Sequence, residues 1–289
     1  MDIRAILAGL AFAMMWSSAF TSARIIVTDA SPLAALTLRY LISGLLGIVI
    51  ARAMGQTWRL TPAQWRATII FGVLQNAVYL GLNFVAMQTV QASVAAIIAS
   101  TMPLLVAMAG WVFLGERLRP LGVAGLVAGL IGVGLIMGAR ITDGVDPFGL
   151  VLCCIGVIAL TVATLSVRGA TSGGNFLMIV GLQMLVGCAA LGIATALFET
   201  PSVTPSWRLL AAFAYTTVVP GLMATFVWFW LVNRIGATRA ATFHFLNPFF
   251  GVAVAAVLLA EPLGAQDLVG VGIITLGILA VQLSRQRQR

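Results

Sequence analysis

Long apolar runs, separated by short polar stretches, fill the chain almost from end to end. A membrane-spanning helix needs about 20 apolar residues, from a rise of 1.5 Å per residue across ~30 Å of hydrocarbon. Runs of that length recur ten times. They predict helices over Ala5–Val27, Pro32–Ala51, Trp65–Met87, Ser93–Leu114, Leu121–Gly138, Pro147–Val167, Asn175–Phe198, Trp207–Val232, Thr238–Ala260 and Gln266–Leu283. The longest connections, Arg52 to Gln64 and Arg140 to Asp146, cannot hold a separate domain. Arg4 ahead of the first run resembles the start of a signal peptide. That run exceeds the ~7–15 apolar residues such a peptide uses, so it is read as a spanning helix. The fold class predicted is an all-α integral membrane protein of ten transmembrane helices.

The order of the helices carries a repeat. SVAAIIASTMPLLVAMAGWVFLGERL, around the fourth helix, matches TRAATFHFLNPFFGVAVAAVLLAEPL, around the ninth. An offset of 145 pairs Ser93 with Thr238, Pro103 with Pro248, Glu116 with Glu261, Gly125 with Gly270 and Gly132 with Gly277. Near the start an offset of 144 pairs Asp2 with Asp146 and Arg24 with Arg168. Each copy holds five helices, so the second enters the membrane from the opposite side. The expected domains are two inverted repeats, 1–140 and 146–285. Inverted repeats are a transporter architecture, with substrate bound near the midplane where the repeats meet.

Composition agrees. Of 289 residues, 61% are hydrophobic and 8% charged, with a mean hydropathy of +1.08. A soluble domain carries about 25% charged residues. The net charge of +8 comes from 16 Arg and no Lys. In a soluble chain it would suggest nucleic acid; here it orients the helices. With the N-terminus in the cytoplasm, twelve Arg fall inside and three outside, with Arg39 within a helix. The positive-inside rule then puts both termini in the cytoplasm of a cell with this protein in its inner membrane. Cys153, Cys154 and Cys188 lie in apolar runs without metal-ligand spacing, so neither metal nor cofactor is expected.

Polar and aromatic residues inside the apolar runs are the candidates for transport chemistry. Pro103 and Pro248, at matching positions, predict kinks that serve as hinges. Gln75, Asn76, Tyr79 and Asn83 share much of one face of the third helix. They suit either a cavity wall or joints between helices. Their counterparts in the eighth helix include Gly221, Ala224 and Trp228. Trp16, Ser17 and Phe20, with Trp228, Trp230 and Phe243, offer aromatic surface to a substrate with an apolar part; Ser100 lies beside the fourth-helix proline. His244, the only histidine, shares a face with Asn247, Pro248 and Gly251. An ionisable group at that depth suits substrate contact or proton coupling. Arg39, roughly 10 Å below the outer end of the second helix by helix rise, would meet a carboxylate or snorkel to the surface. The stripe Gly122, Gly125, Gly129 and Gly132 predicts close helix packing, within one chain or between two, so monomer and homodimer both stand.

Ten helices in two repeats, with Pro103 leading to Gly115–Glu116–Arg117–Leu118 and Pro248 leading to Glu261–Pro262–Leu263, resemble the drug/metabolite transporter superfamily and its EamA-type members. The resemblance covers the whole chain. It is similar in particular to the YddG-type exporters, which implies export of amino acids, aromatic ones included, by alternating access. The second copy departs from the first, with Ala260 and Pro262 where the first has Gly115 and Arg117. A proton-coupled multidrug or other metabolite carrier and a channel are the alternatives. An intramembrane enzyme has little support: no nucleophile elbow, paired aspartates or phosphate-binding loop is present. The expected partners are a small-molecule substrate and the lipid bilayer, without nucleic acid.

Overall fold

A computed structural model describes residues 3–142, 144–166 and 173–286. Met1, Asp2, Asp143, Val167, Arg168, Arg287 and Arg289, which entered the repeat, span and charge readings, lie outside the described residues. Ten described helices are long and apolar enough to span a membrane. They are α1 (Ile3–Asp29), α2 (Pro32–Ala53), α3 (Pro62–Ala86), α4 (Ala92–Phe113), α5 (Pro120–Ile141), α6 (Pro147–Ser166), α7 (Phe176–Phe198), α8 (Trp207–Val232), α9 (Arg239–Leu259) and α10 (Ala265–Ser284). The protein is an all-α integral membrane protein built as two inverted five-helix repeats. Four of the helices open on proline, whose fixed φ and missing N–H suit a first turn. Helix α3 is further capped by Thr61, which accepts from the Gln64 N–H while the Gln64 side chain accepts from the Thr61 N–H. Ser206, 145 residues on, caps α8 by accepting from Leu209.

Helices α3 and α8 change winding at corresponding places. Within α3, residues Gly72–Tyr79 wind as a π-helix, and within α8 so do Thr217–Met223. The offset is again 145. Pro220 explains only the second, since it lacks the N–H that would bond the carbonyl one turn back. The first carries Gln75 at that position, so the turn does not depend on proline.

Pro103 and Pro248 each stand in the first turn of a half-helix. Helix α4 stops at Ser100, turns at Thr101 and restarts at Met102 with Pro103. Helix α9 tightens into a 3-10 turn over Phe243–Leu246 and restarts at Asn247 with Pro248. Proline lacks the N–H that would bond the carbonyl one turn back, so the α-helical ladder is interrupted in the turn before it.

The chain divides into two compact units, each drawing helices from both repeats. One comprises residues 1–21, 89–151 and 223–289; the other, 22–88 and 152–222. In the first, α5 and α10 pack through glycine. A Cβ on Gly125 would lie 2.7 Å from the Gly277 carbonyl oxygen, and one on Gly132 would lie 3.1 Å from that of Gly270. Gly125 is the repeat equivalent of Gly270, and Gly132 that of Gly277. The two contacts therefore exchange under the repeat operation, as a two-fold axis between inverted copies requires. The glycine stripe is spent within this chain: Gly129 meets Leu104 and Gly122 meets Ser284. In the second unit α2 and α7 pack through Gly44 and Gly181.

Acidic side chains close two helix starts. Glu261 accepts from the Ala92 and Ser93 N–H groups at the start of α4, at 2.7 and 3.0 Å. Glu199 accepts from Leu33 and Ala34 at the start of α2, at 3.0 and 2.9 Å. Each carboxylate satisfies donors that have no partner inside their own helix and faces the positive end of the helix dipole. Gln56 does the same for Met178 in α7, and Met178 is the repeat equivalent of Leu33. Buried Arg140, on α5, pairs with Asp267, on α10, at 2.8 Å.

Candidate functional site

The first unit gathers an aromatic group around His244. The rings of Phe12, Trp16 and Trp228 lie 5.2, 6.2 and 5.3 Å from the imidazole, centre to centre. Phe12 and Trp16 meet the imidazole edge-on at 90°, an arrangement that ring quadrupoles favour. The 3-10 turn explains the neighbouring contact, because residues three apart eclipse in that winding. It brings the Asn247 amide nitrogen to 2.9 Å from His244 Nδ1. The amide can donate to Nδ1 or, turned over, accept from it, so the pair closes one hydrogen bond whichever ring nitrogen carries the proton. Ser17 ties α1 to the same place by donating to the Asn247 carbonyl.

Of the aromatic and α9 residues expected from sequence, Trp16, Ser17, Trp228, His244 and Asn247 thus converge. Others do not join them. Phe243 packs its ring on Gly9, among Ala5, Leu231 and Ala240. Ser100 is buried and donates to Ile97 in its own helix. Phe20 is buried. Trp230 is exposed beneath the Arg234 guanidinium, as an interface anchor would be. Sequence reading missed Phe12; its place one helical turn before Trp16 was the available signal.

In the second unit one α3 amide, Asn76, bonds to two other helices. Asn76 donates to the Gln183 carbonyl on α7 at 2.9 Å and accepts from the Tyr40 hydroxyl on α2 at 3.3 Å. Asn83 donates to Tyr79 of its own helix, and both lie against Gly156 of α6. Asn76 thus ties α3 to α2 and α7, whereas Asn83 bonds within its own helix. The π-helical winding alters the 3.6-residue spacing on which one shared face depended. Gln75 is half-buried.

Arg39 is buried on α2, only 7% exposed, so it does not snorkel to the surface. Among the described residues no carboxylate pairs with it, and its Nε has no hydrogen-bond partner. Four residues on, Ser43 is also buried and its hydroxyl has no partner. Both point at Gly221 in the π-helical turn of α8: a Cβ there would lie 3.6 Å from Arg39 Nη2 and 3.8 Å from Ser43 Oγ. No group of three or more His, Cys, Asp or Glu among the described residues could hold a metal.

Comparison with known proteins bears on this architecture. The profile described as the EamA-like transporter family matches residues 3–138 and 147–283. An uncharacterized transporter of Bacillus subtilis (strain 168), YvbV, is 24% identical over 278 residues, which cover 96% of this chain and 90% of the relative. An uncharacterized transporter of Archaeoglobus fulgidus is 27% identical over 278 residues, 93% of this chain and 95% of the relative. A solved crystal structure superposes with a TM-score of 0.69 at 21% identity over 100% of both chains, a likeness of fold.

Proposed function

Because the chain belongs to the EamA-like transporter family, a family of transporters and not enzymes, we propose that it exports small amphipathic metabolites, amino acids including aromatic ones, by alternating access. The repeats 1–140 and 146–285 are the symmetry units in this reading. The observation that carries it is the duplication of the helix interruptions. Two π-helical turns and two broken helices recur at one offset, and paired interruptions in corresponding helices mark the binding region of inverted-repeat carriers. A helix interrupted at membrane depth exposes backbone groups that only a wet cavity or a neighbour can satisfy.

The aromatic group of Phe12, Trp16 and Trp228 suits the apolar part of such a substrate. Twelve Arg against three, counted from the sequence, support cytoplasmic termini in an inner membrane. Use of the α5 glycine stripe inside the chain supports a single copy as the transport unit.

The test is flux in proteoliposomes. Labelled phenylalanine, threonine and methionine are supplied with and without unlabelled amino acid on the far side. Saturable uptake accelerated by counterflow is expected. Uptake that never saturates would instead mark a channel, and no uptake of any of the three would overturn the amino acid reading.

A further inference from the structure

We propose that Arg39, Ser43 and the backbone notch at Gly221 form a binding site for the carboxylate of the transported molecule. This rests on the transport reading above and names the group that the second unit recognises.

A guanidinium stays charged at any physiological pH. Placed in a membrane protein without a counter-charge, it is costly. Arg39 bears that cost in the apo chain: it is buried, unpaired with any described carboxylate, and unsatisfied at Nε. Its nearest aromatic contact is the ring of Tyr40, 5.3 Å from Cζ. Ser43 adds a second buried, unpartnered polar group on the same face, one turn away.

The notch is opposite both. Glycine at 221 leaves the α8 backbone without a side chain beside both donors: a Cβ built there would lie 3.6 Å from Arg39 Nη2 and 3.8 Å from Ser43 Oγ. One carboxylate oxygen accepting from both donors lies beside this glycine. The planar guanidinium can meet the other oxygen as a fork.

The repeat shows that the fold does not require this arrangement. The equivalents of Arg39, Ser43 and Gly221 are Met184, Cys188 and Asn76. There the polar group sits on the opposite helix, and the protein closes it with bonds to Gln183 and Tyr40. One copy is sealed by the chain's own atoms; the other keeps donors for an anion.

The experiment measures binding of benzoate, benzamide and phenylalanine to the full chain in lipid nanodiscs, in chloride-free buffer. Benzoate and phenylalanine are expected to bind, with benzamide weaker by about tenfold or more. Arg39→Gln should remove that preference, whereas Arg39→Lys keeps part of it. If Arg39→Gln fails to fold, Ser43→Ala and Gly221→Ala carry the test, each weakening benzoate several-fold and leaving benzamide unchanged. Equal binding of benzoate and benzamide by the wild type, or full benzoate affinity in Arg39→Gln, overturns the site. Chloride binding as tightly as benzoate also overturns it, by making it a site for inorganic anions. The two readings fail separately. Phenylalanine flux with an unchanged KM in Arg39→Gln would sink the carboxylate site and leave the exporter. Arg39-dependent benzoate binding without amino acid flux would do the reverse.

Discussion

The Asn247 amide nitrogen lies 2.9 Å from His244 Nδ1 and ties the imidazole to its own helix. Three aromatic rings surround the same imidazole. Among the described residues no carboxylate pairs with it to hold a proton there. Uptake by the wild type is therefore expected to be the same with and without a pH gradient. His244→Ala should slow flux through lost packing and leave that indifference intact. Flux that tracks the proton gradient and loses this dependence in His244→Ala would make the residue a coupling site.

Asn76 serves as a joint, so its loss should register in stability. Asn76→Ala strands the Gln183 carbonyl and the Tyr40 hydroxyl. About 1–3 kcal/mol of destabilisation is expected. Thermal unfolding in detergent measures it, and KM for flux should stay within about twofold of wild type. A large rise in KM without loss of stability would return Asn76 to the substrate.

Glu261 depends on an unusual neighbour. Ala260, with φ of 52°, is left-handed, where its repeat equivalent Gly115 has φ of 66°. The turn at Ala260 leads into Glu261, whose carboxylate reaches the start of α4. An L side chain in that conformation costs roughly 1–2 kcal/mol, partly offset because glycine loosens the unfolded chain. Ala260→Gly should raise stability by up to about 1 kcal/mol, whereas Glu261→Ala should lower it by about 1–2 kcal/mol. Differential melting of the two variants decides both.

The α5–α10 contact tolerates no added atom. A Cβ on Gly277 would lie 2.6 Å from the Gly125 carbonyl oxygen and 2.8 Å from the Gly129 nitrogen, both rigid backbone. Gly277→Ala should cost about 1–3 kcal/mol as the helices separate. Gly272→Ala, with nothing within 4 Å, should leave the melting temperature unchanged.

Asp146, just ahead of α6, accepts from the Thr89 hydroxyl and from the Phe148 and Gly149 N–H groups. The Thr89 bond first, and the two backbone bonds with it, hold its carboxyl below the usual carboxylate range. A depressed folded-state pKa contributes stability above the unfolded value near 3.9, and that contribution fades as pH falls through the folded value. Wild type should therefore melt above Asp146→Ala near neutral pH. The gap should narrow as the pH falls below about 4.

The ten spans, their ends to within a few residues, and the repeat at an offset of 145 were legible in the sequence. So were the matched prolines and the glycine stripe. Of the residues singled out in the sequence, Trp16, Ser17, Trp228, His244 and Asn247 come together. Phe12, Tyr40 and Ser43 were not singled out; Asn76 bonds to two other helices and Asn83 within its own. Span length and repetition are local properties: about 20 apolar residues must cross hydrocarbon whatever lies beside them. The fate of a buried amide, hydroxyl or guanidinium is not local. In a medium without water its partner must come from another helix, and only the tertiary structure decides whether Gln183 stands ready for Asn76 or whether Arg39 is left facing the notch at Gly221.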